Sequence, residues 1–127
     1  MLMKLTELPN LFIGTDIVEV ERINKLFTRS CELFKNRVFT ILEQKYCDSK
    51  SSPSIHYSGR FAAKESIIKA IKSSGYQNPI SFKEIEILSS DYGAPIVNLH
   101  FALECECKVS ISHTESHATA FALYIPK

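Results

Sequence analysis

The sequence has neither a long apolar segment nor an excess of charge of either sign. No uncharged apolar run approaches the roughly 18 residues of a membrane-spanning helix, so we expect no membrane span. Near the amino terminus, Glu7, Pro9 and Asn10 interrupt the stretch of roughly 7 to 15 apolar residues that a secretory signal needs, which favours a cytoplasmic protein. Fifteen basic against fourteen acidic side chains also exclude the strongly basic composition of a general nucleic-acid binder.

The chain has only four cysteines, and in a cytoplasmic protein we expect these to be reduced thiols rather than a disulfide framework. Cys105 and Cys107 fall on the apolar face of a predicted strand, so both are predicted to lie in the core. A zinc site built from Cys105, Cys107, His113 and His117 is the alternative. Its spacing lacks the usual zinc-finger pattern, which disfavours it.

The remaining composition is typical of one globular domain. Of the 127 residues, 45% are hydrophobic and 23% are charged. A chain of this length can bury one sizeable core but not two, so a single domain over residues 1–127 is predicted. Neither an internal repeat nor a low-complexity segment interrupts it.

Hydrophobic periodicity and turn residues predict a strand, then helices, then further strands. The first strand covers residues 10–20 around Gly14, which indicates a bulge or a close backbone approach. Three helices are predicted, at residues 21–35, 41–47 and 55–73. Thr40 and Glu43 form a capping box before the second helix. Four strands follow, at residues 81–88, 95–101, 105–112 and 117–125. This order predicts an α+β fold with an antiparallel sheet packed against the long third helix.

Two carboxylates stand where carboxylates are unfavourable. Asp16 lies in the most strand-prone run of the chain, where aspartate is depleted. Glu65 falls inside the apolar arc of the third helix, as does Lys69 one turn later. Asp16 could instead cap a turn, and Glu65 could simply pair with Lys69 on a solvated flank. If the carboxylates of Asp16 and Glu65 converge, they offer the oxygen ligands that Mg²⁺ prefers beside a phosphate.

Basic residues cluster on the predicted helices. Arg60 and Lys64 belong to the basic third helix, which indicates a nearby anion as readily as it indicates solubility. His113, at a strand end, either contacts phosphate or lies in solvent. Between positions 22 and 37 the first helix has five basic residues against Glu32. Such a helix either steers an acidic protein partner or is a solvated face.

Three stretches, in this order, resemble the holo-[acyl-carrier-protein] synthases, the small trimeric class of 4′-phosphopantetheinyl transferases. They are Ile13-Gly14-Thr15-Asp16-Ile17 followed by Arg22-Ile23, then Arg60-Phe61-Ala62-Ala63-Lys64-Glu65-Ser66 with Lys69-Ala70, and finally Val109-Ser110-Ile111-Ser112-His113-Thr114. The family's F-[ST]-x₂-E-x₂-Y pattern matches Phe39, Thr40, Glu43 and Tyr46. The resemblance spans residues 11 to 124, and the combined order and spacing of the motifs are specific.

The resemblance implies Mg²⁺-dependent transfer of 4′-phosphopantetheine from coenzyme A to a serine of apo acyl carrier protein, in fatty acid biosynthesis, with release of adenosine 3′,5′-bisphosphate. By matching position, Asp16 and Glu65 would hold Mg²⁺, and Lys69 would contact phosphate at the reacting centre. Either Glu65 or a water on the metal would accept the serine proton, and the sequence leaves both open. The residues implied to help hold coenzyme A are Arg60, Lys64, Lys69, Ser112, His113 and Thr114.

The resemblance also implies protein partners. Arg22, Lys25 and Arg29 of the first helix match the family's docking surface for the acidic carrier protein. The family forms homotrimers whose sites lie between neighbouring subunits, so the His113 segment is expected to come from a different chain than the Asp16–Glu65 pair. Two other functions fit the residues alone: a non-catalytic module that binds coenzyme A or another nucleotide, and an interaction protein that docks an acidic partner and binds no coenzyme A.

Overall fold

The computed structural model describes residues 10–127, apart from the side chain of Cys31. Glu7 and Pro9, on which the prediction of no secretory signal depends, lie outside that range. The α-helices within it are α1 (Val20–Val38), α2 (Ile41–Asp48) and α3 (Pro53–Ser73). The strands are β1 (Phe12–Glu19), β2 (Ile85–Ser89), β3 (Pro95–Leu99), β4 (Cys105–His113) and β5 (His117–Pro126). The predicted α+β order is confirmed.

The strands form two antiparallel sheets rather than the single sheet expected. One sheet has the order β1-β5-β4, and the other is the β2-β3 hairpin. A cavity of about 430 Å³ lies between the edges of β3 and β4, where a continuous sheet would have a hydrogen-bonded ladder. Among the described residues, no helix combines the length and the apolar character needed to cross a membrane.

Helix α3 packs on the inner face of the three-stranded sheet. Buried alanines at alternating positions 118, 120 and 122 give β5 a shallow inner surface against which a helix can lie closely. On β1 the approach is closer still. A Cβ atom added at Gly14 would lie 2.0 Å from the backbone oxygen of Ser66. The predicted close backbone approach is therefore confirmed, and β1 pairs with β5 through Gly14 without a bulge.

Several element boundaries differ from the predictions for local reasons. Helix α1 continues to Val38, although Ser30 has non-helical dihedral angles (φ −151°, ψ 51°) that break it. Helix α3 begins at Pro53, because proline needs no hydrogen-bond acceptor in a first helical turn. The strand predicted from residue 81 begins only at Ile85, after a 3₁₀ turn. The capping box of Thr40 and Glu43 is present as predicted.

Candidate active site

Asp16 on β1 and two side chains of α3 converge at the edge of the sheet. The Nζ atom of Lys69 lies 3.0 Å from Asp16 Oδ1 and 3.0 Å from the backbone oxygen of Thr15. Burial, and then the nearby carboxylate of Asp16, raises the pKa of Glu65, while Lys69 and Arg22 act in the opposite direction. Asp16, Glu65, Lys69 and Arg22 therefore share one electrostatic environment.

This geometry distinguishes between the alternatives that the sequence leaves open. Asp16 lies within the β1–β5 ladder opposite Ala120, so it does not cap a turn. Lys69 forms its ion pair across to β1 rather than along the helix to Glu65. The close approach at Gly14 explains the convergence, because Asp16 follows two residues later on the same face of β1.

The donor set of Asp16 and Glu65 fits Mg²⁺. Both side chains offer carboxylate oxygens, the ligands that this hard cation prefers. No group of three or more metal-ligating side chains forms within residues 10–127. A cation here would therefore have two protein ligands and complete its coordination with water or phosphate, as Mg²⁺ commonly does.

A second cluster of polar groups surrounds Arg60, closer to the start of α3. The Arg60 guanidinium lies 3.8 Å from the centroid of the Tyr46 ring, and its Nη2 atom donates to Ser89 Oγ at 3.3 Å. Its Nε–H is buried without an acceptor. A cavity of about 200 Å³ opens beside it. The residues lining this Arg60 cavity are Tyr46, His56, Arg60, Ile87, Ser89, Gly93, Pro95, Ile111 and His113.

The Arg60 cavity joins two of the residues predicted to hold coenzyme A, Arg60 and His113. The ring of His113 lies 5.9 Å from that of His56, which sequence reasoning did not single out. His56 and Glu65 are nine residues apart on α3, a separation of about 13 Å along the axis at about 1.5 Å per residue. Ser112, His113 and Thr114 border a second cavity, of about 240 Å³, together with Ile17 on the outer face of the sheet. Within one chain, the Arg60 cavity and Glu65 therefore lie at different levels along α3.

Comparison with known proteins gives the family. The model of the 4′-phosphopantetheinyl transferase superfamily matches residues 12–122. The chain belongs to this superfamily. It is 41% identical over 117 residues to a holo-[acyl-carrier-protein] synthase of Protochlamydia amoebophila (strain UWE25), covering 88% of this chain and 95% of that protein. The predicted enzyme class, a phosphopantetheinyl transferase, is thereby confirmed.

Solved structures give the same fold. The chain matches a Chronobacterium ammoniagenes ACPS–CoA complex with a TM-score of 0.81 and 28% identity, covering 92% of this chain and 98% of the other. It matches a holo-(acyl-carrier-protein) synthase from Bacillus anthracis str. Ames in complex with CoA (3′,5′-ADP) with a TM-score of 0.77 and 31% identity, covering 91% and 96%. The predicted phosphopantetheinyl transferase fold is confirmed.

Lys64 of the transferase lies apart from the other predicted ligand-binding residues. It is fully buried, and its Nζ atom donates to Glu43 Oε1 at 2.6 Å, to the backbone oxygen of Val38 at 2.7 Å and to that of Phe82 at 3.0 Å. Burial lowers the pKa of Lys64, and the Glu43 carboxylate opposes this effect. All three ammonium protons are therefore donated within the protein, and none remains for a phosphate. We correct the prediction that Lys64 helps to hold coenzyme A, since its contacts give it a structural role.

The zinc alternative does not fit the transferase fold. Cys105 and His113 stand at opposite ends of β4, eight residues apart, a distance of about 26 Å at about 3.3 Å per residue. Cys105 and Cys107 pack against the hydrophobic core, as predicted. Burial raises the pKa of the Cys107 thiol to about 12, which disfavours the thiolate that zinc requires.

The three predicted docking residues of the transferase lie on α1. Arg22, Lys25 and Arg29 are exposed and are spaced three and four residues apart, so they share one face of the helix. Arg22 is also close enough to Glu65 to lower its pKa. This basic face therefore extends to the cluster around Asp16.

Proposed function

We propose that the chain transfers 4′-phosphopantetheine from coenzyme A to a serine of apo acyl carrier protein and releases adenosine 3′,5′-bisphosphate. The observation that carries the proposal is the convergence of Asp16 from β1 with Glu65 and Lys69 from α3. Membership of the superfamily supports the reaction class. We propose fatty acid biosynthesis as the pathway and the cytoplasm as the location, where Cys47, Cys105 and Cys107 would remain free thiols, as they are in the structure.

The reaction needs a positioned phosphate and compensation of the charge that develops on it. The serine oxygen forms a bond to the phosphorus of the phosphopantetheine group, and the bond from that phosphorus to the bridging oxygen of the pyrophosphate breaks. Mg²⁺ held by Asp16 and Glu65 would supply positive charge to the phosphate oxygens. Lys69, whose side chain is 53% exposed, would add a second positive charge.

The serine must also lose its proton. Glu65 is the candidate acceptor within this chain, because its carboxylate is half-buried beside Asp16 and forms no ion pair with another side chain of residues 10–127. A water at the same place remains the alternative. Arg22, close to Glu65, would place the carrier protein's serine near this acceptor when the acidic partner docks on α1.

The Arg60 cavity supports binding of the rest of coenzyme A. A buried guanidinium with a free Nε–H is suited to an anion, and Tyr46 and Ser89 fix its orientation. His113 borders the same cavity. We therefore assign Arg60 and His113 to coenzyme A, with Ser112 and Thr114 at its outer margin, and we leave Lys64 out.

We further propose that the working enzyme is a homotrimer with sites between subunits. The outer face of the three-stranded sheet exposes Ile13 (55%), Ile17 (67%) and Phe121 (48%), which is unfavourable in water and would be relieved by a second copy. Ser112 and Thr114 lie on this same face, away from Asp16. A neighbouring chain on this face would bring its carboxylate pair to the His113 segment.

The transfer activity is tested by mass spectrometry of apo acyl carrier protein incubated with the purified protein, coenzyme A and Mg²⁺. We expect a mass increase of one phosphopantetheine group, its loss on removal of Mg²⁺ with EDTA, and most of it lost in Asp16→Ala and Glu65→Ala at unchanged circular dichroism. An unmodified carrier protein, when a known transferase modifies the same sample, would contradict the proposal. Binding of coenzyme A without transfer would support the non-catalytic alternative.

The shared site is tested by co-expressing two variants that should each be inactive alone, Asp16→Ala and His113→Ala, so that mixed oligomers form. If each site takes Asp16 from one chain and His113 from another, mixed trimers contain some sites in which both residues are intact. We expect the mixture to be more active than the sum of the separate variants, and size-exclusion chromatography with light scattering to give the mass of a trimer. A mixture no more active than that sum would contradict a site between subunits.

A further inference from the structure

Basic side chains line the Arg60 cavity on several sides. Arg60 contributes from α3, His56 from the first turns of the same helix and His113 from the end of β4. Lys50, in the turn before α3, places its Nζ atom 4.6 Å from the centroid of the Tyr46 ring and acts electrostatically on His56. The described residues that line the cavity include no carboxylate. The cavity therefore suits an anion, and it suits a dianion better than a monoanion.

His56 is the central member of this cluster. Its ring packs edge-on against Tyr46 from α2 and against His113 from β4, with ring centroids 5.9 Å apart in both pairs. These contacts hold the half-buried imidazole at the cavity wall. In the ligand-free protein, burial, and then His113, Arg60 and Lys50, lower the pKa of His56. The imidazole is therefore neutral at neutral pH, since an unperturbed histidine titrates near about 6.5.

We propose that His56 takes up a proton when a phosphate monoester enters the Arg60 cavity, so that anion binding and proton binding are coupled. The reason is the electrostatic potential at the His56 ring, because a bound dianion compensates the positive groups that disfavour the imidazolium. The proposal rests on the proposed function for its natural ligand. Coenzyme A carries one phosphate monoester, on the 3′ oxygen of its ribose, while its other two phosphates form the pyrophosphate.

The coupling sets the direction of a pH dependence. At pH 8 both the free and the bound protein have neutral His56, so the histidine adds little to affinity. As the pH falls through the pKa of the bound state and towards the lower pKa of the free state, the imidazolium forms in the complex first and binding of the dianionic ligand tightens. A rise of about one pKa unit on binding corresponds to at most about tenfold tighter binding.

The experiment follows the ring resonances of His56 in the full-length protein by NMR from pH 5 to 8, with adenosine 3′,5′-bisphosphate as the probe. We expect its titration midpoint to rise by about one unit when the probe is bound. Sulfate, which remains a dianion over this range, should raise the midpoint in the same direction. An unchanged midpoint with either bound probe, or failure of the bisphosphate to bind, would overturn the proposal.

Calorimetry in buffers of different ionisation enthalpy measures the protons taken up per bisphosphate bound. We expect uptake near pH 6.5 in the native protein and its loss in His56→Gln. His100→Gln is the matched control, because His100 pairs with Glu86 and does not line the cavity, and it should behave as native. Uptake that persists in His56→Gln but disappears in His113→Gln would assign the proton to His113 and overturn the proposal. None of these measurements uses Mg²⁺ or carrier protein, so failure of the transfer assay is a separate result.

Discussion

Two lysines of α3, one helical turn and a residue apart, form ion pairs that have little else in common. Lys64 and Glu43 are 2.6 Å apart, and neither side chain has any exposed surface. Lys69 and Asp16 are 3.0 Å apart, with 53% of the lysine side chain and 17% of the aspartate side chain exposed. The first pair joins α3 to α2 in the interior, whereas the second joins α3 to β1 at the surface.

The difference lies in what each ammonium group can still bind. The three protons of Lys64 are donated to Glu43 and to two backbone oxygens. Lys69 donates to Asp16 and to the backbone of Thr15, and no third acceptor for it lies within the described part of the chain. Two lysines of similar sequence context thus differ in function because of burial: one stabilises the fold, and the other remains available to a ligand.

The largest expected effect is on stability. Lys64→Met leaves the buried Glu43 carboxylate without its cation, although the backbone N–H groups of Thr40 and Ile87 still donate to it. This should lower the free energy of unfolding by about 3–5 kcal/mol. Lys69→Met, the same substitution on the same helix, removes an exposed pair and should change it by no more than about 1 kcal/mol. Urea denaturation of both variants checks this. Similar losses in the two would mean that burial does not separate their roles.

The second effect is on the rate of transfer, which should depend on Lys69 rather than on Lys64. Lys69→Met removes a positive charge from the proposed reacting centre, and loss of one such electrostatic contact commonly slows catalysis about 10² to 10³-fold. Single-turnover transfer to apo acyl carrier protein, with coenzyme A saturating, measures this rate. Lys69→Arg, which keeps the charge, should recover part of it. A Lys69→Met variant with native rate would remove Lys69 from the proposed chemistry.

The next effect concerns the close contact between β1 and α3 at Gly14, which brings Asp16 to Lys69 and Glu65. In Gly14→Ala the new Cβ would meet the backbone of Ser66 at 2.0 Å and that of Ala70 at 2.8 Å, so β1 must move away from α3. We expect a loss of stability of about 3 kcal/mol, at the upper end for overpacking, together with reduced transfer because Asp16 shifts from Glu65. Gly59→Ala is the control, since its Cβ meets only a side-chain methyl of Ile111 at 3.0 Å. Equal losses in both variants would contradict a special role for the β1–α3 contact.

The smallest effect is a pH dependence within the buried region. Despite burial, which acts in the opposite direction, hydrogen bonds from Thr40 and His100 lower the pKa of Glu86 below its usual value. A carboxylate with a depressed pKa in the folded state stabilises the protein above its unfolded pKa, near about 4.3, and this contribution is lost as the pH falls through the folded pKa. Glu86→Gln should therefore reduce the loss of stability between about pH 5 and pH 3. An acid transition as steep as that of the native protein would assign the effect to other groups.

The sequence indicates the site around Asp16 and Glu65 more readily than it indicates the buried Lys64–Glu43 pair. Asp16 in a strand and Glu65 in an apolar arc are locally unfavourable, and such conflicts indicate a site before any contact is known. The sequence predicts the capping box of Thr40 and Glu43, but the second role of Glu43 depends on Lys64, 21 residues away on another helix. Helical periodicity predicts the side of the helix on which a residue lies, but it does not predict which element packs against that side.

The Arg60 cavity was less predictable still. Its lining comes from α2, α3, β2, β3, β4 and the turn between β2 and β3, and no spacing along the chain brings these segments together. Only Arg60, Tyr46 and His113 stood in recognisable motifs, and His56 is a single histidine in a helix. The division into two sheets escaped prediction for a similar reason, since strand patterns give the faces of a strand but not its neighbours.

The sealed position of Lys64 also makes it a chemical reporter of opening. An amine-reactive reagent needs access to an unprotonated nitrogen, so Lys69 and the other exposed lysines are modified in the native protein. Lys64, with no exposed surface, is reached only when α3 separates from α2 and from the end of α1. Its labelling rate, resolved by peptide mass spectrometry, therefore measures how often this part of the core opens under native conditions.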